Sequence, residues 1–564
     1  MPIIFKNTGL QFFLHSKMLG RLLKISVVPV LAFLIVVGTI SSAFLWKNFE
    51  SDKFKIYFDE KLIQGKQQYL SQNVSDIPKY NRPNIILILA DDLGQTDISL
   101  YGNTNISTPN IDRLGSEGVT FTEGYISSPV CSPSRAGLLT GRYQQRYGHE
   151  FQPNHRYLKN MAEYYGFKLL PRFKPLSPIK TKEVPEVEER LRQGLPPSEI
   201  TLAELLKKYD YTTGIVGKWH LGAADFAKPC ARGFDYQYGF YEAFTMYAER
   251  KDTAVVSRPV KSDYMDLHQW KTAEGRQGNC AILRNCCERM EEDKYLTDVL
   301  TDEAISFMER SKDHPFFLYL PYNAPHAPLQ AQKKYYEQFA HITDPVKRTY
   351  AAMIKNLDDE IGRLMGFVES KGMMENTIII FLSDNGGAVY NGTTDNTPYR
   401  GGKLTNFEGG IRVPFMMKWK NHIPANSVVH HPVMSLDVFA TVASIIGIEL
   451  PQDRTFDGVN LLPFAKGESK EAPHEKLFWR SEFNKAIRKG PWKMMLNEFD
   501  GQNFLYRITA DSTEQNNLYT TEPNVVKELT NEINNWENDL VAPLWPRVVN
   551  YVYKDEKGKT TFAF

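Results

Sequence analysis

The 564 residues, 42% hydrophobic and 24% charged, describe an ordinary globular protein with room for a large domain and a smaller one. A formal net charge of +1 excludes any global pull toward nucleic acid, so a polyanion must be met by local basic patches. Five cysteines are too few for a disulfide scaffold. Cys280, Cys286 and Cys287 lie close together, either contributing a bridge or staying as thiols, and their spacing is not that of a metal site.

Residues 1–24 carry Lys6, Lys17, Arg21 and Lys24 and no acid. Residues 25–46 then carry no charge at all, and at ~1.5 Å per residue a helix of that length spans a bilayer. Positive charge ahead of the run places the N-terminus in the cytoplasm and the rest outside. The segment is either an uncleaved anchor or a signal peptide. Its length and its long basic lead favour the anchor, while Ser41-Ser42-Ala43 offers a small-residue cleavage site. The expectation is an exported protein, held to the membrane through residues 25–46, with its main domain in the periplasm or outside the cell. Residues 47–82 are polar and read as a connector to a domain over residues 83–449.

Residues 85–90 are a continuous apolar run rich in branched side chains, ending at Asp91-Asp92-Leu93-Gly94. That pattern predicts a central strand of a parallel sheet, covered on both faces. Residues 213–216 repeat it and end at Gly217-Lys218-Trp219-His220. Residues 316–320 end near Asn323-Ala324-Pro325-His326, and residues 378–382 end at Ser383-Asp384-Asn385-Gly386-Gly387. Helical patterns at residues 202–206 and 350–368 separate these strands, which implies an α/β fold with a doubly wound, mainly parallel sheet. Polar residues at four strand ends then converge on one rim, where such sheets bind ligands.

Residues 151–199 and 237–292 lack clear periodicity and read as excursions that wall a cleft or simply cover surface. Beyond residue 450 short strands are predicted near residues 478–480, 486–488, 493–496 and 503–506. Val525, Val526, Leu529, Ile533, Trp536 and Leu540 then mark the apolar face of a helix. Residues 450–564 thus read as a smaller C-terminal α+β subdomain.

A strand-like lead-in, Val119-Thr120-Phe121, runs toward a turn at Ser127-Ser128-Pro129, and a helix follows from about Cys131. A helix start favours an anion through its free N–H groups and dipole, and Arg135 adds a forked cation one turn on. A sulfur in that place reads as a nucleophile or as a buried cysteine before an ordinary helix. Asp91, Asp92 and Asp384 would repel one another, so a divalent cation between them, with the neutral carbonyl of Asn385, resolves the crowding. An Asp-Asp pair alone is more often a turn or cap.

Residues 131–142, Cys-Ser-Pro-Ser-Arg-Ala-Gly-Leu-Leu-Thr-Gly-Arg, resemble the signature of the type I sulfatases without departure. Gly217-Lys218-Trp219-His220-Leu221-Gly222 also resembles a family motif, and the others recur in order to about residue 518. The resemblance implies an alkaline-phosphatase-like fold and hydrolysis of sulfate esters, of a sulfated polysaccharide or oligosaccharide by analogy. It implies that a formylglycine-generating enzyme oxidises Cys131 to formylglycine, whose hydrated form supplies the nucleophile. The metal ligands would be Asp91, Asp92, Asp384 and Asn385, completed by the modified Cys131; an oxygen set with a neutral member suits Ca²⁺, with Mg²⁺ not excluded. Arg135, Lys218 and Lys403 would hold the sulfate, His326 would protonate the leaving oxygen, and His220 would act on the second hydroxyl. His149, Asn154 and His155 follow the signature helix and are expected at the substrate pocket. A phosphodiesterase or phosphonate ester hydrolase of the same superfamily is the enzymatic alternative; a membrane-tethered polyanion-binding protein is the non-enzymatic one.

Overall fold

A computed structural model describes residues 55–72, 82–153, 157–170, 174–179, 184–260, 270–271 and 276–564. The apolar segment expected at residues 25–46, and Asn154 and His155, lie outside these. Among the described residues no helix is long and apolar enough to cross a membrane.

The strands of the main sheet are, in chain order, β1 (Asn84–Ala90), β2 (Val119–Phe121), β3 (Thr212–Lys218), β4 (Tyr236–Phe240), β5 (Ile282–Arg284), β6 (Glu288–Met290), β7 (Phe316–Pro321), β8 (Thr377–Ser383), β9 (Phe415–Trp419) and β10 (Ser427–Val429). They lie in the order β10-β2-β9-β8-β1-β7-β3-β4-β5-β6. The central run β8-β1-β7-β3-β4 is parallel, and β9 and β5 add antiparallel neighbours on its two sides. Ala90 pairs with Ser383 and Leu89 with Pro321, so β1, β7 and β8 end at one level. Loops leaving those ends start from a common rim.

Both faces of β1 are buried, as its unbroken apolar sequence requires. Ile86 and Ile88 face a core closed by the helices Leu296–Ser311 and Pro345–Ser370. Ile85, Leu87 and Leu89 face a second core with the helices Cys131–Thr140, Leu202–Lys208 and Asp437–Ile446. Alternate residues on a strand point to opposite sides, so one strand serves two layers. Each such side chain fully removed from water contributes roughly 1.5–3 kcal/mol before the entropy of ordering is subtracted.

The connector contains a helix, Glu60–Ser71, capped by the Asp59 carboxylate. Its Lys66 is buried and donates to Glu204 at 2.6 Å. The C-terminal part holds β11 (Lys476–Ser481), β12 (Asn484–Lys489), β13 (Trp492–Asn497) and β14 (Phe504–Arg507), an antiparallel sheet backed by the helix Pro523–Glu537. A last hairpin, β15 (Val549–Asp555) with β16 (Gly558–Ala563), pairs with Leu176–Pro178 from the 151–199 excursion. Cys286 is bridged to Cys230, and Cys280 and Cys287 are free thiols. One of the three clustered cysteines thus contributes a bridge, to a partner 56 residues away in sequence.

Candidate active site

Each strand end delivers its polar residues to the rim. Asp91 and Asp92 follow β1, Lys218 ends β3, His326 follows β7, and Asp384 follows β8. The helix Cys131–Thr140 points its start at the same place, and no side chain caps it. Asp92 adopts a left-handed backbone, φ 64°, which breaks strand alternation and lets both consecutive acids serve one cluster. His220 is also left-handed, φ 55°. The extended segment therefore stops before it, and Lys218 and His220 share the rim through a bend rather than through the two-residue strand repeat. Glycine is required at position 386, where a Cβ would lie 1.8 Å from the carbonyl oxygen of Gly409. That close approach seats the 400–412 loop, which carries Lys403, over the end of β8.

The residues named from the sequence meet here. Lys218 Nζ donates to Asp91 Oδ2 at 2.6 Å. Arg135 donates through Nε and Nη2 to Asp384 Oδ2 at 2.9 and 2.7 Å, and through Nη1 to the Lys218 carbonyl at 3.2 Å. The other Asp384 oxygen accepts the Asp92 N–H at 3.2 Å. Asp92 Oδ1 accepts from Asn385 Nδ2 and pairs with Lys403 Nζ, each at 2.7 Å. His326 Nε2 lies 3.5 Å from Asp92 Oδ2. Its Nδ1 is held by the Ala327 carbonyl, which leaves Nε2 as the nitrogen that faces the cluster.

Ligand atoms of Asp91, Asp92, Cys131 and His326 all lie within 4.8 Å of one another. Asp91 Oδ1 and Asn385 Oδ1 are buried without a hydrogen-bond partner. Buried oxygens are rarely left unpaired, so two such lone pairs beside three carboxylates fit a divalent cation held by oxygen.

Electrostatics follow from burial. Burial pushes the Cys131 thiol above its ordinary value, against the pull of Lys218 and Lys403. Burial also raises the Asp92 carboxyl, yet His326, Lys403 and Lys218 outweigh it and hold the group low. Asp384 is pushed up by burial and by Asp91, against Arg135 and Lys218. His326 falls to about 3, chiefly through burial, with Lys403 and Lys218 adding and Asp92 opposing. His220 is driven well below the usual histidine range by burial and by Lys218.

His149 meets the signature helix and is not among the groups bonded within the charged cluster. It is fully buried behind the signature helix, where Nε2 meets Ser132 Oγ at 2.8 Å and the ring packs edge-on against Trp545. Sequence reading also missed Glu408, Lys493 and Glu514, which lie behind the Lys403 loop. Their separation along the chain gives no local signal.

The family model described as Sulfatase matches residues 83–448, and that described as N-sulphoglucosamine sulphohydrolase, C-terminal, matches residues 402–539. Mouse (Mus musculus) N-acetylgalactosamine-6-sulfatase is 32% identical over 420 residues, covering 73% of this chain and 72% of the relative. Human (Homo sapiens) steryl-sulfatase is 31% identical over 469 residues, covering 73% and 74%. The solved structure of Ps i-CgsB in complex with k-i-k-neocarrahexaose is 32% identical, with a TM-score of 0.68 over 82% of this chain and 94% of that one. Signature, fold and relatives agree, and the chain belongs to the sulfatase family, whose members hydrolyse sulfate esters.

Proposed function

We propose that this sulfatase removes sulfate from a sulfated oligosaccharide or polysaccharide of galactose-type sugars. The support is chemical and comparative: one relative is named for N-acetylgalactosamine, and a similar structure is complexed with a neocarrahexaose. The observation that carries the reading is the start of the Cys131 helix, facing Lys218, Lys403 and His326 across three carboxylates.

In this reading Cys131 matures to formylglycine through a modifying enzyme, and the hydrated aldehyde presents the attacking oxygen. Arg135, Lys218 and Lys403 hold the sulfate oxygens and offset charge that builds in the transition state. Asp91, Asp92, Asp384 and Asn385, with the modified Cys131, would hold a divalent cation, for which the oxygen donors favour Ca²⁺. When bound, that cation supplies Lewis-acid polarisation and acidifies a nearby hydroxyl. His326 Nε2 gives a proton to the departing sugar oxygen. It is neutral among cations, and the incoming sulfate supplies the negative charge that favours its protonated form. His220 removes the proton from the remaining hydroxyl at position 131, so that sulfate leaves and the aldehyde returns.

The bridge between Cys230 and Cys286 supports an oxidising compartment. With the apolar run at residues 25–46, it supports export and tethering to a membrane.

One experiment tests substrate and mechanism together. Wild type and His326→Ala are assayed for free sulfate on regiochemically defined sulfated oligosaccharides and on an activated aryl sulfate. We expect one galactose-type regioisomer to dominate. We expect His326→Ala to lose about 10²–10⁴-fold on it and far less on the aryl ester, whose leaving group needs no proton. Equal losses on both would remove the general-acid role, and preference for a gluco-configured sugar would remove the substrate class.

A further inference from the structure

Lys403 is delivered by a loop that the main sheet does not hold alone. Within the loop, the Lys403 N–H donates to Gly387 O at 3.0 Å and the Leu404 N–H to Pro129 O at 2.9 Å. These bonds tie it to the turn after β8 and to the turn before Cys131. From the other side the C-terminal part of the chain grips the same loop. Glu514 Oε2 accepts the Glu408 N–H at 2.8 Å. Lys493 Nζ, on β13, lies 2.8 Å from both Glu408 Oε1 and Glu514 Oε1. Tyr125 OH donates to Glu408 Oε2 at 2.8 Å. All three charged side chains are fully buried. At the start of the loop Arg400 lies over the Phe407 ring, pairs with Asp555 of β15 at 2.7 Å, and donates to Tyr506 OH at 2.8 Å.

Burying a lysine between two glutamates costs several kcal/mol in desolvation, which only good geometry offsets. Such a cluster fixes one arrangement and tolerates little drift. Its place directly behind a short loop with a left-handed Leu404, φ 76°, makes that arrangement the loop's own.

We propose that Lys493 and Glu514 are positioning residues for Lys403, so that the C-terminal sheet completes the sulfate-binding site. The inference rests on the role given to Lys403 above. A cationic group displaced by about 1 Å from a developing negative charge loses on the order of a hundredfold in rate.

The test is a double-mutant cycle on an activated aryl sulfate, with thermal melts to confirm folding. Lys493→Met and Glu514→Ala are expected to lower kcat/KM about tenfold to a hundredfold, while Glu514→Gln, which keeps an acceptor for the Glu408 N–H, restores most of it. In a Lys403→Ala background the same changes are expected to cost almost nothing, because the group they aim is gone. A folded Lys493→Met or Glu514→Ala enzyme with wild-type kinetics overturns the proposal. So does a loss that persists undiminished without Lys403, which would mark a general structural role. If Lys493→Met does not fold, the two Glu514 variants decide by the same criteria. Lys403→Ala with wild-type turnover would instead overturn the reading of Lys403 itself, and this inference with it.

Discussion

Two buried clusters in this molecule use the same currency of charge and do different things with it. At the rim, Asp91, Asp92 and Asp384 face Arg135, Lys218 and Lys403. Behind the Lys403 loop, Glu123, Glu408 and Glu514 face Arg412, Arg488 and Lys493. Each is balanced, so neither charge count nor burial separates a site from a staple. The difference lies in what surrounds the pairs. The rim adds two oxygens without a hydrogen bond, Asp91 Oδ1 (3.5 Å from Arg135 Nη2) and Asn385 Oδ1, a His220 Nδ1 likewise without one, and Cys131 at an uncapped helix start. The second cluster adds a tyrosine hydroxyl and a backbone N–H, both of which donate into its carboxylates. Atoms without a hydrogen bond occur in the second cluster too, at Glu514 Oε1 and Arg488 Nε, but Lys493 Nζ lies 2.8 Å from the former, whereas those of the rim lie beside the group formed by Asp91, Asp92, Cys131 and His326.

The largest expected effect breaks the first cluster at its centre. Cys131→Ala is expected to lower turnover by more than about a thousandfold, since the nucleophile is lost, while the melting temperature stays near that of wild type. Residual turnover within tenfold of wild type would remove position 131 from the chemistry. Glu514→Ala in the second cluster should instead cost stability as well as turnover, since its side chain holds the loop rather than reacting.

A second effect sharpens the contrast without reading activity. If the rim holds a divalent cation, chelation followed by added Ca²⁺ should raise the melting temperature by an amount that grows with ligand concentration. At a hundredfold excess over Kd the gain is about 2.7 kcal/mol. Asn385→Ala should blunt that response, and Lys493→Met should leave it intact. An equal response in Asn385→Ala would place the cation elsewhere or abolish the fit argued from the unpartnered oxygens.

Much of the rim was legible because its parts sit at strand ends. Residues 85–90, 213–216, 316–320 and 378–382 announce buried parallel strands by composition, and the acids, lysine and histidine that follow inherit one edge. Val119–Phe121, read as a strand-like lead-in, is β2; the antiparallel β9 was not read, nor was β10, whose three residues have no period to detect. The final hairpin was missed for another reason: Val549–Asp555 and Gly558–Ala563 alternate polar and apolar side chains weakly and pair partly with residues 176–178. The Cys230–Cys286 bridge and the Glu408–Lys493–Glu514 cluster depend on residues far apart in sequence, and such pairings leave no local mark. His149 shows another limit: close in sequence to the signature, it is buried against it, with Nε2 on Ser132 Oγ at 2.8 Å.

The smallest expected effect is in the second cluster and concerns pH. Lys493 is shared by two carboxylates, and Glu408 has Arg412 as well, at 3.4 Å. Burial raises Glu514, with Lys493 opposing and the Glu408 charge adding, to about 7. Arg400 also lies within electrostatic reach of it. A carboxyl whose folded-state value lies above its unfolded value of 4.5 contributes stability that is complete below pH 4.5. That contribution fades as pH rises and is gone once pH passes about 7. Melts between pH 4.5 and 8 should therefore show stability declining through that window on account of this group. Glu514→Gln, which carries no titrating proton, should flatten that part of the profile. The rim offers no comparable test, since a bound cation would set the protonation of its acids. A Glu514→Gln profile that parallels wild type across the whole range would mean that Glu514 stays ionised beside Lys493, and that the second cluster is held by charge alone.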